Sequence, residues 1–285
     1  MTVLLRRLKD NMARGEVEQF CFDTVKAAVL SKDICYACSV EDEHLIKRAF
    51  QTASPNANLS AFPDFVFEGG FIEHFEVTSS HSNRNGSMMQ REKSELRKEA
   101  AIKECALQEQ IDQKPCYKGT TVIADKWHSE HSHDDFCFSF QKSWKKHIDS
   151  LIKYPGDKAV GIFMVQYNDM ALVMDAIYPT VKEELFYGDL LKRPDYRGYR
   201  LTHDSTMLNF IYQYKDMIRF VAFYNHDGFH GDWCEVICVE NIPEILKLVK
   251  EKYSFHCAMV GTAHTVFAIS TPNPFHEGGK LNDQT

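Results

Sequence analysis

The sequence predicts an α/β (α+β) fold with a mixed central sheet flanked by helices, and three observations predict it. Runs with strand character are separated by runs with helical spacing along most of the chain. Two β-rich runs meet at a Gly-Gly turn, a hairpin signal that argues against a purely parallel, doubly wound sheet. Phenylalanine supplies 20 residues, an aromatic-heavy core that suits buried strands as much as helices.

The first sixty residues read mainly as helix. Val17, Phe20, Cys21, Val25, Ala28 and Val29 recur at helical spacing, and Leu45, Ile46, Ala49 and Phe50 form the apolar stripe of a second helix over Glu41–Thr52. Ser54-Pro55-Asn56-Ala57-Asn58 then breaks the chain. From Phe62 the period changes: Asp64–Glu68 is a strand, Gly69-Gly70 a turn and Phe71–Thr78 a second strand. A polar loop leads to Ser87, an N-cap for a long charged helix from Met88 to about Gln110. Arg91, Glu95, Glu99 and Lys103 step along one face of it.

Thr120–Ala124 reads as a strand, and Phe136–Tyr154 as a helix closed by Pro155-Gly156. Ala159–Tyr167 is a strongly apolar strand that Asn168-Asp169 turns into Ala171–Met174. Tyr178–His203 lacks a period and reads as an extended loop with one short helix. Helices return at Asp204–Met217 and Ile242–Lys252, and strands at Arg219–Tyr224, Cys234–Val239 and Thr265–Ile269. No repeat or linker interrupts this order. The expectation is one domain over 1–285, with a core over roughly 10–170 and a C-terminal α/β extension over roughly 171–270.

A net charge of −7 lowers the prior for a generic nucleic-acid binder, although one basic groove can sit on an acidic protein. Nine cysteines follow no disulfide spacing, which points to free thiols and a cytoplasmic setting. The first residues lack the apolar run of a signal peptide, and no stretch approaches the length of a membrane span.

Chemistry is concentrated between Phe62 and Ser80. On the second hairpin strand Ile72, His74, Glu76 and Thr78 share one face, and Glu73, Phe75 and Val77 share the other. Asp64 follows Pro63 on the preceding strand, and a hairpin brings Asp64 and Glu76 within reach of a shared cation. Two hard carboxylates suit Mg²⁺ or Mn²⁺, with water and a substrate phosphate completing the coordination.

Pro63-Asp64, then Phe75-Glu76-Val77-Thr78-Ser79-Ser80 and a long charged helix, resembles the PD-(D/E)XK, or restriction-endonuclease-like, nuclease superfamily. The resemblance implies a core of a helix, a bent acidic hairpin, a further helix and more strands. It implies Mg²⁺-dependent hydrolysis of DNA, with Asp64, Glu76 and the Val77 carbonyl as metal ligands and Glu18 or Asp23 completing the site. Nucleases of this kind commonly dimerise, so a homodimer is compatible with it. The family's lysine, two residues beyond the second acid, is replaced by Thr78, which carries no charge. Lys93 or Lys98 on the following helix would take its catalytic place, and Arg84, Arg91 and Arg97 would meet phosphate. The alternative is a catalytically inactive α/β module that binds a protein or nucleic-acid partner.

Three other features weigh less. His128, His131 and His133 lie among acids in one short loop and suit Zn²⁺ or Mn²⁺, but their spacing matches no established motif and a solvated loop is the simpler reading. Cys35-Tyr36-Ala37-Cys38 has CxxC spacing without a partner pair and falls in a stretch read as helix, so buried thiols are expected. The His226–Trp233 segment joins two strands and either lines a cleft or forms an ordinary turn.

Overall fold

The structure is a computed structural model and describes residues 14–31, 35–58, 61–83, 86–112, 118–128, 131–169, 171–176, 198–227, 231–248, 253–257 and 260–269. It packs as two compact units, Met1–His81 with His131–Ala258, and Ser82–Glu130 with Met259–Thr285.

In the first unit, α1 (Arg14–Ser31) leads to a short strand β1 (Cys35–Ala37) and then α2 (Val40–Thr52). Ser39 starts α2 by accepting the Asp42 N–H, satisfying one of the donors that a helix N-terminus leaves open. The CxxC segment is therefore strand and not helix, a correction to the sequence reading. β1 is three residues long, too short to show a period, and its partner lies some two hundred residues away: Cys35, Tyr36 and Ala37 pair in parallel with Glu235, Val236 and Ile237.

The strands β2 (Ser54–Pro55), β3 (Phe65–Phe67) and β4 (Gly70–Val77) form an antiparallel meander. The β3–β4 register pairs Phe67 with Gly70, so the loop is Glu68-Gly69. Gly69 takes a φ of +90°, which a residue without a Cβ adopts readily.

The second unit begins with the short pair β5 (Ser82–Asn83) and β6 (Gly86–Ser87), followed by α3 (Met88–Asp112) and β7 (Lys118–His128). The chain returns to the first unit with α4 (His133–Lys153), β8 (Val160–Tyr167) and β9 (Leu172–Ala176). A 3-10 turn at Leu201–His203 precedes α5 (Ser205–Tyr212), β10 (Phe220–Asp227), β11 (Gly231–Cys238), α6 (Ile242–Leu248) and β12 (Tyr253–Cys257). Finally β13 (Val260–Ile269) pairs antiparallel with β7, completing the second unit.

The main sheet has seven strands in the order β1-β11-β10-β8-β4-β3-β2. It is mixed, because β8 pairs in parallel with both β4 and β10 while the β3–β4 and β10–β11 pairs are antiparallel. β8 is buried along its whole length, which accounts for its apolar run.

Helices cover both faces. Phe22, Val25, Ile46, Phe50, Ile72, Ile162 and Met164 pack on the side of α1 and α2. On the other side α4 presents Phe136, Phe140, Trp144, Ile148 and Leu151 at helical spacing to Phe71, Phe75, Phe163 and Phe223. Burying one such aromatic side chain contributes about 2–3 kcal/mol, so the α4 face is a main source of stability. Ile72 and Phe75 fall in opposite layers, as alternation along β4 requires. Among the described residues, no helix is long and apolar enough to cross a membrane.

Candidate functional site

The hairpin register decides which acid meets Asp64. Continuing the Phe65–Ile72 pair by one step puts Asp64 opposite Glu73. Side chains reinforce it: the Asp64 N–H donates to Glu73 Oε2 at 3.0 Å, and the His74 N–H donates to Asp64 Oδ2 at 2.8 Å. Glu73 is 5% exposed and its second oxygen, Oε1, lies 2.5 Å from His147 Nδ1 on α4. Phe75 stacks under the His147 ring at 4.8 Å between centroids, which fixes the imidazole in place.

Electrostatics set this group apart. Burial pushes the Asp64 carboxyl up to about 7, and the Glu73 charge pushes in the same direction. The His74 N–H opposes the rise, Glu18 on α1 adds to it, and His147 lowers it. Three carboxylates and one imidazole therefore act on one another near the β2 edge of the sheet, with negative charge in excess.

The other residues expected at the site have these positions. Glu76 is exposed and accepts the Asn168 amide at 3.0 Å. Asn168 in turn accepts from Gln166, whose Oε1 lies 2.9 Å from His74 Nε2. Glu76 thus ends a polar chain running across β4 and β8 to the residue whose N–H holds Asp64. Val77 is buried in register with Tyr167. Asp23 is exposed and bonded by Gln19.

Thr78 stands two residues beyond Glu76. Its hydroxyl donates to Asp169 Oδ2 at 2.5 Å and accepts the Ser80 N–H at 3.1 Å. The Ser79 N–H reaches the same Asp169 oxygen at 2.6 Å, and Ser79 Oγ lies 2.9 Å from His131 Nδ1 and 2.8 Å from the Tyr167 hydroxyl. This buried network ties the end of β4 to the β8–β9 turn.

Arg91 and Lys98 are exposed on α3 in the second unit. Arg84 and the side chains of Lys93 and Arg97 lie outside the described residues, as do the side chain of His128 and those of the turn after β10.

The described histidines of the 128–135 loop separate. His131 joins the Ser79 network, and His133 opens α4 and meets Cys137 and Asp204. Ligand atoms of His133, Cys137 and Asp204 lie within 4.8 Å of one another, and this group could hold a metal ion. Burial, then the charges of Asp204 and Asp134, push the Cys137 thiol up to about 12. At the CxxC, burial and then Asp42 raise Cys38 far above the usual thiol range, which disfavours its thiolate. The seven cysteines described throughout are free thiols.

Sequence reasoning missed Glu73, His147 and the pairing of His133 with Cys137 and Asp204. Comparison with protein-family models, with curated proteins and with solved structures finds no match.

Proposed function

We propose that this chain is a metal-dependent nuclease hydrolysing DNA phosphodiester bonds, with its centre at Asp64 and Glu73. The observation that carries the reading is the opposed pair itself: two carboxylates on a hairpin following Pro63, one of them raised to about 7 by burial and by its neighbour. Repulsion of this kind is relieved by a cation, and hard oxygen donors fit Mg²⁺ or Mn²⁺. The hairpin β3–β4 lies beside β8, with which β4 pairs in parallel, so the hairpin that carries the two acids is anchored in the main sheet.

Asp64, Glu73 and Glu18 would hold the cation, which supplies Lewis acidity toward a phosphate oxygen and an ionised water. The His74 N–H orients the Asp64 carboxylate, and the Asp64 N–H orients that of Glu73. His147 stands beside the acids as a proton-carrying group, a role the missing lysine leaves open.

A second reading is a catalytically silent module that binds a protein or nucleic-acid partner. It is favoured by the uncharged residues two positions beyond each acid, Phe75 beyond Glu73 and Thr78 beyond Glu76, neither of which offers charge to a transition state.

Nicking of supercoiled plasmid with Mg²⁺ or Mn²⁺ decides between them. On the nuclease reading the wild type cuts, and Asp64→Asn and Glu73→Gln each lower the rate at least 100-fold while Glu76→Gln lowers it less. A wild type that cuts with neither cation leaves the silent module. Cutting retained in both Asp64→Asn and Glu73→Gln moves the centre elsewhere.

A further inference from the structure

Two helical turns and a buried carboxylate converge at the start of α4. Ser132 caps the helix by accepting the Asp135 N–H, so His133 and Cys137 stand one turn apart on one face. Cys137 Sγ lies 3.5 Å from His133 Nε2, and Asp204 Oδ2 lies 2.6 Å from the same nitrogen. The three residues come from separate segments, α4 and the turn that opens α5.

We infer that His133, Cys137 and Asp204 form a zinc site independent of the Asp64–Glu73 pair. Imidazole, thiolate and carboxylate are the three donor types that Zn²⁺ prefers. Bonds of about 2.0–2.3 Å place tetrahedral ligands roughly 3.3–3.8 Å apart, so the sulfur–nitrogen spacing already suits it. The nitrogen–oxygen pair must open by about 1 Å, replacing one hydrogen bond by two metal bonds. Three protein ligands leave the fourth position to water.

Surrounding groups fix two of the donors, Asp204 and His133, as outer-shell partners of a metal do. Asp204 Oδ1 accepts the N–H groups of Thr206 and Met207, which locks the carboxylate plane. The Tyr199 hydroxyl donates to Oδ2 at 2.7 Å and leaves that oxygen a second lone pair. Phe255 stacks on the His133 ring at 3.7 Å and 3°. Asp204 is 1% exposed.

Binding forms Zn–N, Zn–S and Zn–O bonds. The Cys137 thiol proton leaves to solvent, and the imidazole proton that Nε2 shares with Asp204 moves through solvent to Nδ1, freeing Nε2 for the metal. The bound ion then staples the first turn of α4 to the Asp204 turn.

Cobalt reports the site without reference to activity. Co²⁺ is titrated into chelator-treated, reduced full-length protein, for wild type, Cys137→Ser, His133→Gln and the Asp64→Asn/Glu73→Gln double variant, with circular dichroism confirming folding. The wild type takes up one Co²⁺ with a thiolate-to-cobalt charge-transfer band, and equimolar Zn²⁺ bleaches it. Cys137→Ser loses the band, His133→Gln binds at least tenfold more weakly, and the double variant keeps the band. Absence of the band in wild type, or its survival in Cys137→Ser, overturns the proposal. If Cys137→Ser fails to fold, unchanged affinity in His133→Gln overturns it instead.

Discussion

Asp64 and Glu73 face each other across a two-residue hairpin loop, and each backbone or side chain of the pair is held by a donor from the same hairpin: the Asp64 N–H on Glu73 and the His74 N–H on Asp64. Burial first, and the Glu73 charge second, raise the Asp64 carboxyl, so the charged form of this pair is costly in the folded state. A fold that keeps such a pair carries a destabilising element.

Removing one charge should therefore stabilise the protein in chelator and, on the nuclease reading, lower cleavage at least 100-fold. Asn at position 64 keeps an oxygen to accept the His74 N–H and loses the repulsion with Glu73 and Glu18. Asp64→Asn is expected to raise stability by roughly 1–3 kcal/mol at pH 8 in chelator, read from urea denaturation. A destabilised Asp64→Asn would mean that the carboxylate is held by favourable interactions and the repulsion argument fails.

The register that creates the pair depends on the two glycines unequally. A Cβ on Gly70 would lie 2.1 Å from the Val160 backbone oxygen, whereas one on Gly69 meets nothing within 4 Å and is opposed only by its φ of +90°. Gly69→Ala should cost ~1 kcal/mol from backbone strain, and Gly70→Ala ~3 kcal/mol or more because the β4–β8 ladder must shift. Thermal melts of the two variants test the order, and equal melting temperatures would contradict it.

The same loop explains what was legible in the sequence. Alternation of period gave the mixed sheet with flanking helices, and Gly-Gly gave the hairpin. Placing the turn at Gly69-Gly70 instead of Glu68-Gly69 moves every cross-strand partner by two residues, so Asp64 is matched to the wrong part of β4. Glu76 then draws attention while Glu73, nine residues beyond Asp64, does not. Starting α4 at Phe136 had a similar effect, leaving His133 in a loop and hiding its one-turn spacing from Cys137. The Ser132-x-x-Asp135 cap was the readable signal. Asp204 carries no such signal, because only the tertiary fold brings α5 to α4. The division into two units is equally silent in sequence, since Ser82–Glu130 and Met259–Thr285 are joined by pairing of β7 with β13 and not marked by linkers.

Glu235 provides a pH signature. It is fully buried on β11 and accepts the Thr202 N–H at 3.1 Å and the Thr202 hydroxyl at 2.6 Å. Burial raises its pKa, with these bonds and Arg200 opposing the rise. The folded state therefore holds the proton more tightly than the unfolded chain. This contribution to stability is fully present below the unfolded value and is lost as pH rises through the folded one. Glu235→Gln, which mimics the protonated form, should flatten that part of the stability profile above pH 5. An identical slope in wild type and variant would rule Glu235 out as its source.

Thr78, where the nuclease reading expects a lysine, separates a structural demand from a catalytic one. Its hydroxyl bridges Asp169 and the Ser80 N–H, inside a network that also holds Ser79, His131 and Tyr167. Lysine there has three donors and no acceptor, so the Ser80 N–H loses its partner and Asp169 must reposition. Thr78→Lys should cost ~2–3 kcal/mol and leave plasmid nicking no faster than wild type. Thr78→Ser, which keeps the hydroxyl, should cost under ~1 kcal/mol. Faster nicking in Thr78→Lys would show instead that the position faces the reacting phosphate and that the missing charge limits the rate, placing Thr78 within the site and not beneath it.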